Sequence, residues 1–99
     1  MTFGDIVCDM SQVLDDNVLV IKPTNSGEEW IINNLYIQFG KSVEIYKSDG
    51  TNNVLIMSTD MSVCGNFNFR CSNSEYITMK NVSGESIFLT YDGIVSISP

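Results

Sequence analysis

Short apolar runs, cut by turn-forming residues about every ten positions, dominate this chain. No stretch sustains the 3.6-residue period of an amphipathic helix. Apolar and polar residues alternate instead, which is the period of a half-buried strand. In residues 41–47, Val43 and Ile45 fall on one side and Ser42, Glu44 and Tyr46 on the other. In residues 75–80, Ile77 and Met79 oppose Tyr76, Thr78 and Lys80. Residues 17–22 form a continuous apolar run that stops at Pro23. Ser48-Asp49-Gly50-Thr51 reads as a hairpin turn, with residues 54–57 returning as the partner strand, and Asn81-Val82-Ser83-Gly84 reads as a second hairpin turn.

Residues 29–39 are long for a strand. A strict alternation puts Ile31, Leu35, Ile37 and Phe39 on one face, interrupted by Asn33, and Trp30, Ile32 and Tyr36 on the other. Apolar groups on both faces predict a strand covered on both sides, by a loop or by another subunit. Residues 66–71, 86–91 and 93–97 complete the pattern, the last two as separate strands or as one broken at Asp92-Gly93. Residues 2–8 read as a weak strand or arm, and residues 10–16 leave room for a helical turn. The expected fold is all-β, a single-domain, jelly-roll-like β-sandwich of about eight strands. A simpler immunoglobulin-like order is the alternative, without the Cys-Trp-Cys spacing of true immunoglobulin domains. Residues 1–26 are expected to be an N-terminal arm with the first strands, and residues 27–99 the main sandwich.

Ninety-nine residues make one domain with a thin margin of stability, for which oligomerisation is a common remedy. Twelve acidic residues face five basic ones, for a net charge of −7. Lys22, Lys41, Lys47, Arg70 and Lys80 are scattered singly. A nucleic-acid partner is therefore not expected, because phosphate binding depends on clustered Lys and Arg. No apolar run approaches the ~20 residues that span a bilayer as a helix, so no membrane partner is expected. The chain shows no basic-then-apolar leader after Met1 and is expected to be made in a reducing cytoplasm.

The sequence carries few groups suited to catalysis. The sequence has no histidine, so a general base would have to be a carboxylate, Lys, Tyr or Cys. No Gly-x-Ser-x-Gly elbow and no distinctive carboxylate pair is present. Cys8, Cys64 and Cys71 are an odd count without a C-x-x-C, which predicts free thiols and no zinc, with a Cys64–Cys71 disulfide as the less favoured alternative. Asp15-Asp16-Asn17 and residues 49–53 are oxygen-rich but follow no calcium-loop spacing, and they read as turns. Asn81-Val82-Ser83 fits the glycosylation sequon and likewise reads as a turn. The expectation is a non-enzyme with no cofactor and no metal. Trp30, Tyr36, Tyr46 and Tyr76 are the candidate protein-contact residues, Trp30 as core or subunit interface. Tyr46 and Tyr76 fall on the outward phase of their strands.

Glu29-Trp30-Ile31-Ile32 leading into Leu35-Tyr36-Ile37, then Val43-Glu44-Ile45-Tyr46 with Asp49-Gly50, resembles the small β-sandwich proteins of tailed-bacteriophage virions. So does the stretch from Tyr76-Ile77-Thr78-Met79-Lys80-Asn81-Val82-Ser83-Gly84 to Tyr91-Asp92-Gly93-Ile94. The group comprises capsid decoration (cement) proteins and head-fibre attachment domains. The resemblance implies a homotrimer on the outer capsid surface of the virion, bound to the major capsid protein and stabilising the head. Two alternatives remain: a carbohydrate- or receptor-binding module of a phage fibre, and an acidic inhibitor that mimics nucleic acid.

Overall fold

A computed structural model describes residues 4–60, 62–65 and 68–97, without the side chain of Cys64. Its strands are β1 (Ile6–Val13), β2 (Val18–Ile21), β3 (Glu29–Ile37), β4 (Val43–Ser48), β5 (Asn53–Thr59), β6 (Val63–Cys64), β7 (Phe69–Cys71), β8 (Tyr76–Asn81) and β9 (Ile87–Ile97). The front sheet runs β1-β9-β3, with β6 and β7 sharing the far edge of β3 as two fragments. The back sheet runs β2-β8-β4-β5. Each sheet is thus four strands wide, all antiparallel. β1 and β2 form one ribbon split between the sheets, lying beside β9 and β8, which lie beside β3 and β4. This is the expected jelly-roll-like sandwich of eight strand positions.

Of residues 1–26, Ile6–Val13 and Val18–Ile21 are strands of the sandwich itself. β1 pairs with β9 over its whole length, from Ile6 opposite Ile94 to Val13 opposite Ile87. Met10–Val13, where a helical turn had room, continue that strand. Thr2 and Phe3 of the expected arm, and Asn66 and Phe67 of the strand expected over 66–71, lie outside the described residues.

Alternation fills the core from both sheets. Val43 and Ile45 of β4 and Ile77 and Met79 of β8 point inward against Ile87, Leu89 and Val95 of β9, all fully buried. Burial of each such side chain contributes about 1.5–3 kcal/mol. Among the described residues no buried side-chain polar atom lacks a hydrogen bond.

β3 departs from the sequence expectation. Its buried residues are Trp30, Ile32, Leu35 and Ile37, and Ile31, Asn33, Asn34 and Tyr36 are only half-buried. The strand does not have two covered faces. It has one buried face whose parity changes midway, because its register against β9 shifts between Ile32 and Asn34. Asn33 is the extra residue of a β-bulge. The bulge drives the β3 backbone onto β9 at Gly93, where a Cβ would strike the Ile31 carbonyl oxygen and lie 2.8 Å from Ile32 Cα. Only glycine leaves room, and β9 therefore runs unbroken through Asp92-Gly93.

The turns divide. The Asp49–Asn52 turn closes a true hairpin between β4 and β5, with Gly50 at φ 91°. The turn after β8 is not a hairpin, since β8 lies in the back sheet and β9 in the front one. Asn81 organises that crossover. Its amide nitrogen donates to the carbonyls of Val13 (2.9 Å) and Glu85 (2.7 Å), and its oxygen accepts from Ser83 N (2.9 Å) and Oγ (2.7 Å). Asn81 is fully buried, so the sequon nitrogen is committed inside the fold.

Two variants test these joints. Gly93→Ala should cost about 3 kcal/mol through overpacking, lowering the melting temperature by ~10–20 °C. Asn81→Ala takes the amide donor from the Val13 carbonyl, while the Glu85 carbonyl keeps the Ser83 hydroxyl at 3.0 Å, and should cost about 1–3 kcal/mol. Thermal melting of either variant at the wild-type temperature would contradict the packing described.

Candidate protein-contact surfaces

The four aromatic candidates do not converge on one site. Trp30 is 6% exposed and belongs to the core. Its ring stacks on Tyr91 with centroids 6.5 Å apart, and its Nε1 donates to the buried carboxylate of Glu28 at 3.1 Å. Asn25 Nδ2 donates to the second oxygen of Glu28 at 3.0 Å. That placement withdraws Trp30 from the contact surface, because its polar edge has an internal partner.

Tyr36 lies on the outer face of the front sheet, half-buried. Its hydroxyl donates to Asp92 Oδ2 at 2.6 Å, and Asn34 Nδ2 donates to Asp92 Oδ1 at 2.8 Å. The hydrogen bond to Asp92 pushes the phenol pKa up, with smaller contributions from desolvation and the carboxylate charge. Across this face Ile6, Ile94 and Ile31 form one row, and Met10, Thr90 and Tyr36 another. Ile6, Met10, Phe88 and Ile94 are all exposed there. Met10, Tyr36, Ile37, Gln38, Phe88 and Thr90 line an open groove of about 320 Å³.

Tyr46 lies on the opposite outer face, in a row with Val20, Thr78 and Leu55. Its hydroxyl donates to Glu44 Oε1 at 2.6 Å, which raises its pKa in the same way. Val18, Val20 and Leu55 around it are exposed. Tyr76 is on the same face near its end, half-buried, with the Lys22 ammonium 4.7 Å above its ring. Tyr46 and Tyr76 thus share a surface, and Tyr36 belongs to another.

A further feature was not singled out in the sequence. β5 overhangs the sandwich. Val54 pairs with Lys47 on the inward phase, yet it is 63% exposed, because among the described residues no front-sheet strand covers it. Leu55 and Ile56 are exposed beside it. The available signal was the unalternating run Val54-Leu55-Ile56, since consecutive exposed apolar residues break the pattern of an ordinary surface strand.

The oxygen-rich loops are occupied by backbone. Asp49 Oδ1 accepts from the amides of Asn52 (2.6 Å) and Thr51 (2.9 Å), which holds its carboxyl below the usual range. Asp15 Oδ1 accepts from the Gly84 amide at 2.9 Å. Among the described residues no three or more Cys, Asp or Glu side chains gather as a metal site. Cys8 is an exposed free thiol and Cys71 a buried one; the side chain of Cys64, and so the disulfide alternative's other half, lies outside the described residues. Burial pushes the Cys71 pKa up to about 11.

The fold recurs in known structures. The Drosophila NLP core, whose structure gives insight into pentamer formation and histone binding, aligns with a TM-score of 0.56 at 8% identity, over 93% of this chain and 99% of that one. A chain of Bacillus endospore appendages, a family of disulfide-linked pili, aligns with a TM-score of 0.49 at 15% identity, over 94% and 88%. No family model matches the chain, and no curated protein matches its sequence. At such identities the likeness is one of fold. The likeness to the NLP core supports the small β-sandwich of the resemblance drawn from the sequence, and not its phage-head setting.

The thiols give a direct check. In the folded protein a thiol reagent at neutral pH should modify Cys8 and spare Cys71 until the chain unfolds. The raised pKa of Cys71 also makes stability fall with alkali. The unfolded thiol ionises near its ordinary 9.0 and the folded one near 11, so its contribution is complete below pH 9 and is lost on the way to pH 11. Denaturant melts across that window should show a shallower loss for Cys71→Val, and an unchanged slope would contradict the assignment.

Proposed function

We propose that this protein is a structural subunit that works by contact rather than by chemistry, attaching to the outer surface of a larger protein shell. In its sharpest form it is a decoration protein of a phage head, a homotrimer that cements neighbouring capsid subunits. The observation that carries this reading is the outer face of the back sheet. There Tyr46 stands among the exposed Val18, Val20 and Leu55. An aromatic anchor ringed by aliphatic side chains is the composition of an interface centre.

The charge supports a basic counterpart. At −7 the chain repels its like and is drawn to positive patches. Two of its five basic residues are already paired, Lys41 with Glu85 and Arg70 with Glu29 at 3.7 Å. Attachment should therefore weaken with salt where the rim contacts stay hydrated. A stable attachment buries more than ~1,000 Å² in total.

The test is to strip virions of the protein, add it back, and measure binding and resistance to heat. Wild-type protein should rebind and restore resistance. Tyr46→Ala should weaken rebinding about tenfold or more while leaving the melting temperature of the free protein unchanged. Protein that ignores capsids but binds a glycan or a nucleic-acid-binding enzyme overturns the reading in favour of an alternative.

A further inference from the structure

We propose that the free edge of β1 takes an added antiparallel strand from a partner protein, an extended segment that alternates apolar and basic residues. The edge is separate from the Tyr46 face, so the inference goes beyond the shell reading.

Two sheets have four edges, and among the described residues three of them are blunted. β2 is four residues long. β6 and β7 share the far edge of β3 as pieces of two and three residues. β5 is longer, but its register against β4 slips at Ile56, and such a bulge breaks the ladder that a partner strand needs. Short and bulged edges are ways in which sheets avoid unwanted pairing. β1 is different. It runs eight residues against β9 without a register shift, and among the described residues no strand lies on its other side.

Hydrogen bonds fix which backbone groups face that side. The Asp5 carbonyl accepts from Val95 N at 3.0 Å, so Asp5 turns towards β9. Backbone groups of successive residues alternate sides in an antiparallel strand, which leaves Ile6, Cys8, Met10 and Gln12 facing the free edge. Met10 agrees: its N–H donates to the Asp9 carboxylate at 2.8 Å and not to β9. The side chains of the same four residues lie on the outer face of the front sheet, with Ile6 and Met10 exposed. Met10 is also a wall of the groove that Tyr36, Phe88 and Thr90 line. A strand added here lays alternate side chains beside Ile6 and Met10, where apolar groups gain most, and the others on the side of Asp9. In strand addition the main chain supplies affinity and the alternate side chains supply specificity.

Charge selects the occupant. Residues 1–21 contain Asp5, Asp9, Asp15 and Asp16 and no Lys or Arg. Asp9 is exposed near the middle of the edge, and its carboxylate covers the Met10 amide that a partner's carbonyl needs. A neutral strand has nothing to draw that carboxylate away, and an acidic strand is repelled. A Lys or Arg beside it pairs with the carboxylate and opens the amide as the strand docks. A second copy is turned away on the same ground, since pairing β1 with β1 sets four aspartates along another four in a chain that already repels its like. Asp9 is thus both the guard of the edge and the group that recognises the partner.

The probe is a short, end-capped peptide of alternating Val and Lys, added to the intact protein and followed by fluorescence anisotropy. It should bind and slow hydrogen exchange at the Cys8, Met10 and Gln12 amides. The counterpart with Glu in place of Lys should not bind. Asp9→Asn should bind the lysine peptide about fivefold more weakly. With valines on the outer face of an antiparallel strand, the valine amides face β1 and the lysine amides face water. N-methylation of the valine amides should therefore abolish binding, and N-methylation of the lysine amides should leave it. Failure of the lysine peptide to bind, equal binding of the glutamate peptide, unchanged affinity in folded Asp9→Asn, or any other pattern of loss on methylation overturns the inference. Protein that binds the peptide but not shells overturns the proposed function alone, and the reverse result overturns this inference alone.

Discussion

The bulge at Asn33 is the constraint on which the rest of the sandwich depends. β3 must present Trp30 and Ile32 to the core in one half and Leu35 and Ile37 in the other. These two pairs have opposite parity, and a regular strand would turn one of them to solvent. One extra residue reconciles them. Its cost falls on the neighbouring strand, which has to offer bare backbone at Gly93. Once that contact is made, β9 continues for eleven residues and carries β1 along its other edge. The core, the longest strand and the N-terminal edge thus rest on one Asn–Gly opposition.

Much of the architecture could be read from the sequence because its information is local. The alternation in residues 41–47 and 75–80 sets the inward faces of β4 and β8, and Gly50 marks the hairpin between β4 and β5. Parity in β3 could not be read, because a bulge has no signature beyond the polar Asn33-Asn34 pair. Its proof lies sixty residues away at Gly93. The turn at residues 81–84 misled for the same reason. Its composition is that of a hairpin, but whether two strands pair or part into separate sheets is decided by the core, and by the buried amide of Asn81. Trp30 was ambiguous because the acid that satisfies its indole, Glu28, looks in sequence like an ordinary surface charge.

The contact surfaces were legible only by halves. Tyr46 and Tyr76 were found by phase, and phase placed them correctly on the back sheet. The front-sheet surface was not found. Its apolar residues, Ile6, Met10, Phe88 and Ile94, come from two strands eighty residues apart and assemble only through the β1–β9 register. The overhang of β5 is a matter of tertiary cover, which no period in a single segment encodes.

Exposed apolar side chains are not enough to make a face that can be buried. The polar groups among them must also tolerate losing water, and an unpaired carboxylate buried at an interface costs more than several aliphatic contacts return. Here the polar groups are partnered before any contact forms. Asp92, in the middle of the front face, accepts from both Tyr36 and Asn34. Glu44, in the middle of the back face, accepts from Tyr46. Ser48 and Thr78 beside it share a hydrogen bond at 3.3 Å. Each tyrosine thus has two roles, supplying apolar ring area and quenching the nearest acid. In a chain with so much negative charge, that arrangement confines the unquenched carboxylates to turns and edges. It leaves the two broad faces as the surfaces where protein can replace water at low cost.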